Sequence, residues 1–580
     1  MYDSSNKRQK QQWEISFETW LNSEALDEES KKELLQIKDN KDEIMERFAA
    51  ELEFGTGGLR GIMAAGTNKM NKYVIRRTTQ GLANYINQQY PEIKEKKVAI
   101  AYDSRFNSRE FAEETARVVA GNGIKALIFR EMRPTPQLSF AVRELGCQAG
   151  VIITASHNPP QYNGFKVYGE DGGQAATDLA AELSAKIKEV DYFTGINLLS
   201  KNEAIERGLW KYIEENFDSI YLEKIKSLSL NQGDKDIRVV YTPLHGTGLF
   251  LIPRLLKELG YRNVFIVEEQ AALDPAFPTV ESPNPEERKS FDLALRLAEA
   301  KDADLVLATD PDADRVGCAV KAPGQGYAFL NGNQVGALLL EYLLGRLQEK
   351  GGIPDNGVMI KTIVTGNLGK KIAASYGVET VETLTGFKYI GEKMKEYDST
   401  GERRFLFGYE ESCGYLAGTF VRDKDAVISS SLLVEMTAYY KKQGKNVLEV
   451  LEELYSKHGY HLEVLESIQL ENIAQAAEIL RSFRDNPMEM IGGLKIEERR
   501  DYRQGKFFNM LTGKEGELLL PRSDVLFFAL EGGAWFSIRP SGTEPKIKYY
   551  FSVNASSQKE AEAKMSALKN DVLARAAAAK

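Results

Sequence analysis

Ser156 lies directly after an apolar run, residues 150–153, in the segment Thr154-Ala155-Ser156-His157-Asn158-Pro159. An apolar run that ends in small polar residues predicts a buried strand that delivers a loop to the edge of a sheet. The backbone of such a loop is fixed while its hydroxyl stays accessible, so Ser156 is a candidate nucleophile. His157 is a candidate for handling a proton, although a lone histidine is more often structural. No Gly-x-Ser-x-Gly elbow surrounds the serine, which disfavours a lipase-like hydrolase.

A second polar segment, Asp310-Pro311-Asp312-Ala313-Asp314-Arg315, follows the apolar residues 305–308. Carboxylates at alternate positions can converge on one hard cation, and a bound cation would relieve their mutual repulsion. An EF-hand would need glycine and glutamate where Arg315 and Lys321 stand, so that interpretation fails. Mg²⁺ fits best if a phosphate is also bound, because this ion combines few carboxylates with phosphate oxygens. A phosphatase with a nucleophilic aspartate and a solvated acidic turn remain alternatives for this segment alone.

Two later segments carry groups that suit phosphate and sugar hydroxyls. The first, Arg539-Pro540-Ser541-Gly542-Thr543-Glu544-Pro545, combines a guanidinium fork with hydroxyls and a glycine that lets the backbone approach closely. The second, Gly408-Tyr409-Glu410-Glu411-Ser412, offers a carboxylate and a hydroxyl that could hold sugar hydroxyls. Each also has an ordinary interpretation, as a tight turn with an incidental arginine and as a capped helix start.

Two further segments could bind an anion. Arg422-Asp423-Lys424-Asp425 could bind phosphate or simply form surface ion pairs. The glycine-rich segment Phe54-Gly55-Thr56-Gly57-Gly58-Leu59-Arg60-Gly61 can present amides and Arg60 to an anion. It is not a dinucleotide fingerprint, because Arg60 stands where the last glycine would be, and it lacks the lysine of a nucleotide P-loop.

Strands and helices alternate around these segments, which predicts βαβ units. The alternation over residues 98–154 returns over 237–308 and again over 334–442, so we expect three similar α/β modules with mixed, mostly parallel sheets. A smaller C-terminal α+β domain follows. The polar segments come after strands, where ligands bind in open α/β sheets. The predicted domains are an N-terminal helical extension at residues 1–45 and four further domains at residues 46–210, 211–325, 326–450 and 451–580, which carry in turn the Ser156, Asp310, Glu410 and Arg539 segments.

Composition narrows the class of protein. A chain of 580 residues is too long for one core and suggests roughly three to five domains. The net charge of −9 argues against nucleic-acid binding, which depends on basic surface. Three cysteines far apart in the sequence point to a reducing compartment. Residues 1–12 lack an apolar signal core, and no stretch approaches the ~20 apolar residues of a membrane span. We therefore expect a cytoplasmic protein that binds neither nucleic acid nor membrane.

Taken in order, residues 154–159, 310–315, 408–412 and 539–545 resemble the signature segments of the α-D-phosphohexomutases, the phosphoglucomutase/phosphomannomutase enzymes. The resemblance spans about residues 50–575. The segments Arg133-Pro134-Thr135-Pro136, Asn163-Gly164-Phe165-Lys166 and Thr385-Gly386-Phe387-Lys388 are similar to the longer bacterial phosphoglucomutase type. Phosphopentomutases and glucose-1,6-bisphosphate synthases have sequences similar to that type.

The resemblance implies an isomerase with four domains around a central cleft. Its reaction would interconvert glucose 1-phosphate and glucose 6-phosphate through a phosphoserine enzyme and glucose 1,6-bisphosphate. Ribose or deoxyribose phosphates and mannose phosphates are the alternative substrates. We expect a monomer or a weak homo-oligomer whose partners are small sugar phosphates.

The resemblance also implies a role for each matching residue. Ser156 would be the phosphoserine, and a phosphoserine oxygen would join three aspartates as ligands of Mg²⁺; they are Asp310, Asp312 and Asp314. Cations around the reacting phosphoryl group would be Arg60, Arg315 and Lys166, with Lys166 and His157 as candidates for the general acid/base. The predicted substrate-binding residues are Arg315, Thr385, Lys388, Glu410, Ser412, Lys424, Arg539, Ser541, Gly542 and Thr543. Lys388 stands in the segment where some relatives use a histidine.

Overall fold

The computed structural model describes residues 11–55, 57–231, 233–486, 488–541 and 546–579. The chain divides into two compact units. The first unit contains residues up to 329 together with 390–401 and 414–439. The second unit contains residues 330–389, 402–413 and 440 onward.

The first unit begins with helices that pack around aromatic side chains. They are α1 (Gln12–Leu21), α2 (Glu28–Ile37) and α3 (Lys41–Phe48). Trp20 and Phe48 are buried in a cluster with Tyr73, and the Tyr73 hydroxyl donates to Asp27 Oδ2 at 2.7 Å. Asp27 also caps α2 by accepting hydrogen bonds from backbone amides of its first turn. The helical segment is therefore anchored to the domain that follows it.

The first sheet of this unit is mixed, and its central strands are parallel. Its strands are β1 (Gly58–Ile62), β2 (Lys97–Tyr102), β3 (Lys125–Phe129), β4 (Ala149–Ile153), β5 (Tyr162–Gly169) and β6 (Trp210–Ile213). The order is β1-β5-β4-β2-β3-β6, with β4, β2, β3 and β6 parallel and with β5 antiparallel to both neighbours. The accompanying helices are α4 (Lys72–Gln89), α5 (Ser108–Gly121), α6 (Thr135–Glu144), α7 (Thr177–Lys188), α8 (Lys201–Glu206) and α9 (Asn216–Lys226). The β2 and β4 strands consist almost entirely of buried residues, as expected where helices cover both faces.

The second sheet has the order β11-β10-β9-β7-β8. Its strands are β7 (Arg238–Thr242), β8 (Asn263–Ile266), β9 (Leu305–Thr309), β10 (Val316–Ala322) and β11 (Gly326–Leu330). The helices around it are α10 (Gly248–Glu258), α11 (Glu268–Ala271) and α12 (Asp292–Lys301). The β7 strand is parallel to β8 and β9, whereas β10 turns back antiparallel to β9. Residues 310–315, the predicted metal loop, lie between β9 and β10 at that reversal.

The second unit carries a third, parallel sheet segment in which β12 pairs with β13 and β14. Its elements in the second unit are α13 (Gly332–Glu349), β12 (Gly357–Thr362), α14 (Leu368–Ser375), β13 (Glu379–Thr383), β14 (Arg404–Glu410) and α17 (Val447–His458). Three elements that come between these in the chain fall wholly or mostly within the first unit; they are α15 (Phe387–Thr400), β15 (Gly414–Ala417) and α16 (Ala426–Lys442). One detail of the sequence-based interpretation is wrong. The segment 408–412 was predicted to follow its strand, but β14 includes Gly408, Tyr409 and Glu410, which are buried within the sheet.

The last domain is an antiparallel sheet with helices. Its elements are β16 (Tyr460–Gln469), α18 (Ile473–Asp485), β17 (Met490–Ile491), β18 (Leu494–Asp501), β19 (Lys506–Asn509), β20 (Glu515–Glu517), β21 (Leu526–Leu530), β22 (Trp535–Pro540), β23 (Lys546–Ala555) and α19 (Gln558–Ala578). A buried cluster joins this sheet to the β12–β13 region within the second unit; its members include Ile363, Leu384, Phe527, Trp535 and Tyr550.

These sheets confirm the predicted fold class, mixed α/β with a smaller C-terminal α+β domain. The domain boundaries remain predictions. Among the described residues, none of the helices is both long enough and apolar enough to cross a lipid bilayer.

Candidate active site

The Ser156 loop begins where β4 ends, at the carboxyl edge of the parallel strands. Ser156 itself has a left-handed backbone with φ of 54°, which is uncommon for a residue other than glycine. Its amide donates to Thr154 Oγ1 at 2.8 Å, and its hydroxyl donates to Asp310 Oδ2 at 2.7 Å. The structure therefore brings the predicted nucleophile against the first aspartate of the predicted metal loop.

The metal loop connects β9 to β10 and gathers its carboxylates at one point. Asp310, Asp312 and Asp314 are buried, and one oxygen from each lies within 4.8 Å of the others. The turn needs Ala313 in the left-handed region, at φ of 47°. Thr135, the first residue of α6, binds the loop twice: its amide donates to the Asp312 carbonyl at 2.9 Å and its hydroxyl to Asp312 Oδ2 at 2.8 Å.

The charges in this loop oppose one another. Burial, together with the neighbouring charges of Asp312 and Asp314, raises the pKa of Asp310 well above its ordinary value. Burial acts in the same direction on Asp314, but Lys424, Lys166 and Arg315 outweigh it and lower the pKa of that carboxyl.

The donor set fits a hard cation. Within the part of the chain that the structure describes, the buried Oδ1 atoms of Asp312 and Asp314 accept no hydrogen bond. Buried carboxylate oxygens without donors are costly, and a cation would satisfy them. All the converging atoms are oxygens, which are the ligands that hard divalent cations prefer.

Two lysines contact the metal loop. Lys166, on β5, places Nζ 2.9 Å from Asp312 Oδ2 and 3.7 Å from Asp314 Oδ2. These carboxylates raise the pKa of Lys166 although its burial acts to lower it. Lys424 Nζ lies 3.2 Å from Asp314 Oδ2, so Lys424 contacts the metal loop in the first unit, although its sequence-based role is sugar binding. That role remains untested.

Two arginines border the same region. Arg60 Nη1 donates to Asn158 Oδ1 at 2.9 Å, within the Ser156 loop. Arg315 pairs with Glu286, and its amide donates to Asp310 Oδ1 at 3.1 Å. The predicted cations of the first unit therefore all contact either the serine loop or the metal loop.

His157 adjoins the serine hydroxyl, with 3.1 Å between its Nδ1 and Ser156 Oγ. Its carbonyl accepts a hydrogen bond from Ser282 Oγ at 2.6 Å. Burial and the charges of Arg315 and Arg60 lower the pKa of His157 well below its ordinary value. The imidazole is therefore neutral and keeps one nitrogen able to accept a proton.

The predicted sugar-contacting residues Thr385, Lys388, Glu410 and Ser412 belong to the second unit. Glu410 ends β14, and its Oε1 accepts a hydrogen bond from the Gly386 amide at 2.8 Å, which brings the Glu410 and Thr385 segments together. The buried Thr385 hydroxyl has no hydrogen-bond partner among the described residues. Lys388 is buried, with Nζ 4.7 Å from the centroid of the Tyr389 ring. Ser412 follows in the turn after β14 and is half-buried.

Arg539 lies within β22 rather than in a loop, and Ser541 follows that strand with its amide bonded to the Lys546 carbonyl at 2.7 Å. Gly542 and Thr543 lie outside the described residues. In this unit Tyr550 lies near both Glu411 and Arg539. Burial and the nearby charge of Glu411 raise the pKa of its hydroxyl, while a hydrogen bond with Arg539 opposes that rise.

Sequence reasoning missed several residues that hold the site. Thr135 supports Asp312, Glu286 pairs with Arg315, and Tyr550 contacts Arg539. A signal existed for Thr135, because its segment begins a helix shortly after β3, at the same sheet edge as Ser156.

Comparison with known proteins defines the class. Family models for the phosphoglucomutase/phosphomannomutase α/β/α domains I, II and III match residues 51–193, 219–325 and 331–458. The model for the C-terminal domain of the same family matches residues 489–569. The chain therefore belongs to the phosphoglucomutase/phosphomannomutase family, a family of phosphohexomutases, and the resemblance seen in the sequence is confirmed.

Individual relatives agree. A phosphoglucomutase of Staphylococcus haemolyticus is 40% identical over 511 residues, which cover 87% of this chain and 91% of that protein. A phosphoglucomutase of Staphylococcus aureus is 37% identical over 527 residues, covering 90% and 93%. Among solved structures, parafusin, a phosphoglucomutase of Paramecium, has a TM-score of 0.67 at 18% identity and covers 91% of this chain and 95% of its own. A family member of Burkholderia thailandensis has a TM-score of 0.65 at 19% identity, covering 91% and 98%, so these two show the fold alone.

Proposed function

We propose that this chain interconverts glucose 1-phosphate and glucose 6-phosphate through a phosphoserine at Ser156 and a glucose 1,6-bisphosphate intermediate. The observation that carries the proposal is the 2.7 Å hydrogen bond from the Ser156 hydroxyl to Asp310, the first member of a buried aspartate cluster. The relatives named phosphoglucomutase, of which the chain covers more than nine-tenths, favour glucose over other sugars.

Asp310, Asp312 and Asp314 would hold Mg²⁺, with an oxygen of the phosphorylated serine as a further ligand. Bound there, the ion would stabilise negative charge on the phosphoryl oxygens. The chain's own contribution is the set of cations around the loop. Lys166, Arg315 and Arg60 offset the roughly −1.5 to −2 charge of a phosphoserine and the charge that spreads over the equatorial oxygens during transfer.

In the first half-reaction the bond between phosphorus and Ser156 Oγ breaks, and a new bond forms to a free hydroxyl oxygen of the sugar. The sugar hydroxyl loses its proton, and the product is the bisphosphate. The intermediate must then turn end for end, so that its other phosphate can be transferred to Ser156 Oγ. The isomerised monophosphate leaves, and the phosphoserine is restored.

The proton needs a carrier, and the two candidates differ in charge. His157 places Nδ1 3.1 Å from the serine oxygen, and burial with the charges of Arg315 and Arg60 lowers its pKa, which favours the neutral form. Lys166 is held as a cation by two carboxylates and can donate one. Single replacements of each, compared in the forward and reverse directions, would assign the roles.

The substrate-binding residues of the second unit would hold the part of the sugar phosphate that is not reacting. Arg539 offers a fork that matches phosphate, and Glu410 can accept hydrogen bonds from sugar hydroxyls. We propose Thr385, Lys388, Ser412, Ser541, Gly542 and Thr543 as further members of this set, and Lys424 and Arg315 as members from the first unit.

The test is an assay with glucose 1-phosphate, Mg²⁺ and a trace of glucose 1,6-bisphosphate. The purified protein should form glucose 6-phosphate without steady release of free phosphate, and intact mass should show one phosphoryl group on part of the protein. Ser156→Ala should lose both the activity and the added mass. Full turnover by Ser156→Ala would show the proposal to be wrong, and continuous phosphate release would indicate a phosphatase.

Mannose 1-phosphate and ribose 1-phosphate belong in the same assay. Glucose 1-phosphate should give the highest kcat/KM, and equal values for the three sugars would contradict the glucose preference.

We further propose a cytoplasmic enzyme that works as a monomer or a weak homo-oligomer. The three cysteines are buried, and no disulfide joins them within the described part of the chain, which is compatible with a reducing compartment. Light scattering across a concentration series would measure the oligomeric state.

A further inference from the structure

Arg105 makes an unusual set of contacts beneath the serine loop. Its side chain is fully buried, and its guanidinium donates to four backbone carbonyls between residues 156 and 162. Nη1 donates at 2.9 Å and 3.2 Å to the carbonyls of Pro159 and Tyr162. Nη2 donates to the carbonyls of Ser156 and Asn158. One side chain therefore binds both ends of the segment that carries the nucleophile.

Asp103 contacts both the side chain and the backbone amide of Arg105. Its Oδ2 lies 3.4 Å from Arg105 Nε, and its Oδ1 accepts from the Arg105 amide at 3.0 Å and from Ser108 Oγ at 2.7 Å. Thr154 lies beside Asp103, and its Oγ1 accepts the Ser156 amide at 2.8 Å. Arg105 therefore acts on the Ser156 carbonyl, while Thr154 acts on the Ser156 amide.

The strands explain why this arrangement forms. Asp103 and Arg105 follow β2, and Ser156 follows β4, its parallel neighbour, so both loops leave the sheet at the same edge. The Asp103 amide donates to the Ile153 carbonyl at 3.1 Å, which extends the sheet pairing up to the serine loop. On another side the guanidinium faces the ring of Phe277, 5.0 Å from its centroid, which keeps water away.

A left-handed backbone is sparsely populated by residues other than glycine and persists only when its surroundings determine it. Ser156 has such a backbone, and its hydroxyl direction depends on it. The bonds from Arg105 and Thr154 act on the two peptide groups that define this conformation. A buried ion pair is a poor source of net stability, so its presence here is better explained by the geometry it imposes.

We infer that Arg105, held by Asp103, is a positioning residue for phosphoryl transfer, which keeps the Ser156 hydroxyl directed at Asp310. The inference rests on the proposed mutase function. It predicts that the fork of donors matters as well as the positive charge. Lysine keeps the charge but cannot serve four carbonyls from one planar group.

The test compares Arg105→Lys with Arg77→Lys in the full-length protein. Arg77 is a matched control, because it is also buried, donates from Nε to the Val190 carbonyl at 2.7 Å, pairs with Glu51 and stacks on the Tyr192 ring. Arg105→Lys should lower kcat by about 10²-fold, since a misplacement of the order of 1 Å can cost that much. Its KM for glucose 1-phosphate should stay within about threefold, because ground-state contacts are untouched.

Arg77→Lys should lower the melting temperature by a similar amount but keep kcat. The rate at which glucose 1,6-bisphosphate phosphorylates Ser156, followed by intact mass in a single turnover, should fall with kcat in Arg105→Lys only.

Wild-type kcat in Arg105→Lys would overturn the inference, and so would a rise in KM at unchanged kcat. If Arg105→Lys does not fold, Thr154→Val decides, because it removes the oxygen that accepts the Ser156 amide and leaves Arg105 in place. A loss in kcat of about tenfold supports the inference, matching the worth of one hydrogen bond, and no loss overturns it. A wild-type protein without mutase activity would instead refute the proposed function itself.

Discussion

The serine and metal loops of the first unit differ from the Glu410 and Arg539 segments of the second in how firmly they are held. Ser156 and Ala313 both have left-handed backbones, and side chains such as Thr135 and Arg105 bond directly to their loops. In the second unit, Glu410 receives the amide of Gly386, whereas the Thr385 hydroxyl lacks a partner among the described residues.

The difference matches what each region would have to do. Under the proposed function the phosphoryl group occupies the same place in both half-reactions, so its surroundings gain from being fixed. The sugar, in contrast, must be accepted in two orientations. A hydroxyl such as that of Thr385, which has no hydrogen-bond partner among the described residues, can donate or accept in either orientation.

The sharpest test of the comparison is Asp312→Ala. We expect turnover to fall about 10³-fold or more, because an electrostatic group at the reacting centre is lost. Chelation of divalent cations should abolish turnover in the wild type, and added Mg²⁺ should restore it. Asp302→Asn, at an exposed turn, is the control and should keep wild-type activity. If Asp312→Ala keeps normal turnover and Mg²⁺ dependence, the metal loop does not have the role given to it.

A smaller effect is expected from Thr135→Val, which removes the hydroxyl bonded to Asp312 Oδ2. Loss of a partner of a metal ligand typically weakens metal affinity about 10–100-fold. The Mg²⁺ concentration that gives half-maximal activity should rise by that factor, and Thr135→Ser should largely restore it. An unchanged Mg²⁺ requirement would show that the fixed geometry of the metal loop does not depend on α6.

Glu410→Gln tests the second region. We expect KM for glucose 1-phosphate to rise about tenfold, the value of one charge-assisted hydrogen bond. The fraction of protein with phosphorylated Ser156 should stay normal, since the serine loop is unaltered. Glu402→Gln, on the exposed turn before the same strand, is the control. A loss of phosphoserine in Glu410→Gln would remove the distinction between the two regions.

A further test concerns the stability of the second unit. Burial raises the pKa of Glu463 to about 7, so the folded protein retains a proton there that the unfolded chain releases near its ordinary value of 4.5. The contribution of this proton to stability is full below the unfolded pKa and is lost as the pH rises through about 7. It amounts to about 3 kcal/mol.

Urea unfolding at pH 5 and pH 8 should show this loss in the wild type. The loss should shrink in Glu463→Gln, which stays neutral, but not in Glu466→Gln on the same strand. Equal pH dependence in the wild type and Glu463→Gln would contradict the assignment.

Some of this site could be predicted because short-range signals marked it. Ser156 and Asp310 each follow an apolar run, and the ends of neighbouring parallel strands share one edge. The predicted end of β14 was wrong, because tertiary packing buries the polar end of the strand, including Tyr409, and overrides local propensity.

Other contributors could not be matched to their partners from the sequence. Arg105 binds backbone carbonyls, which every residue has, so no partner could be recognised from residue types. Thr135 meets Asp312 across 177 positions of the chain. Such pairs are set by how the domains pack, and one sequence does not specify that packing in any local pattern.

The left-handed backbone at position 156 also restricts which alcohol can carry the phosphate. Threonine has an equivalent oxygen, but its branched Cβ is strongly disfavoured in that region of backbone space. Tyrosine would place its oxygen several bonds farther from the main chain. The backbone conformation at position 156 therefore limits the phosphate-carrying residue to serine before reactivity is considered. A replacement by threonine, although chemically conservative, would not fit this conformation.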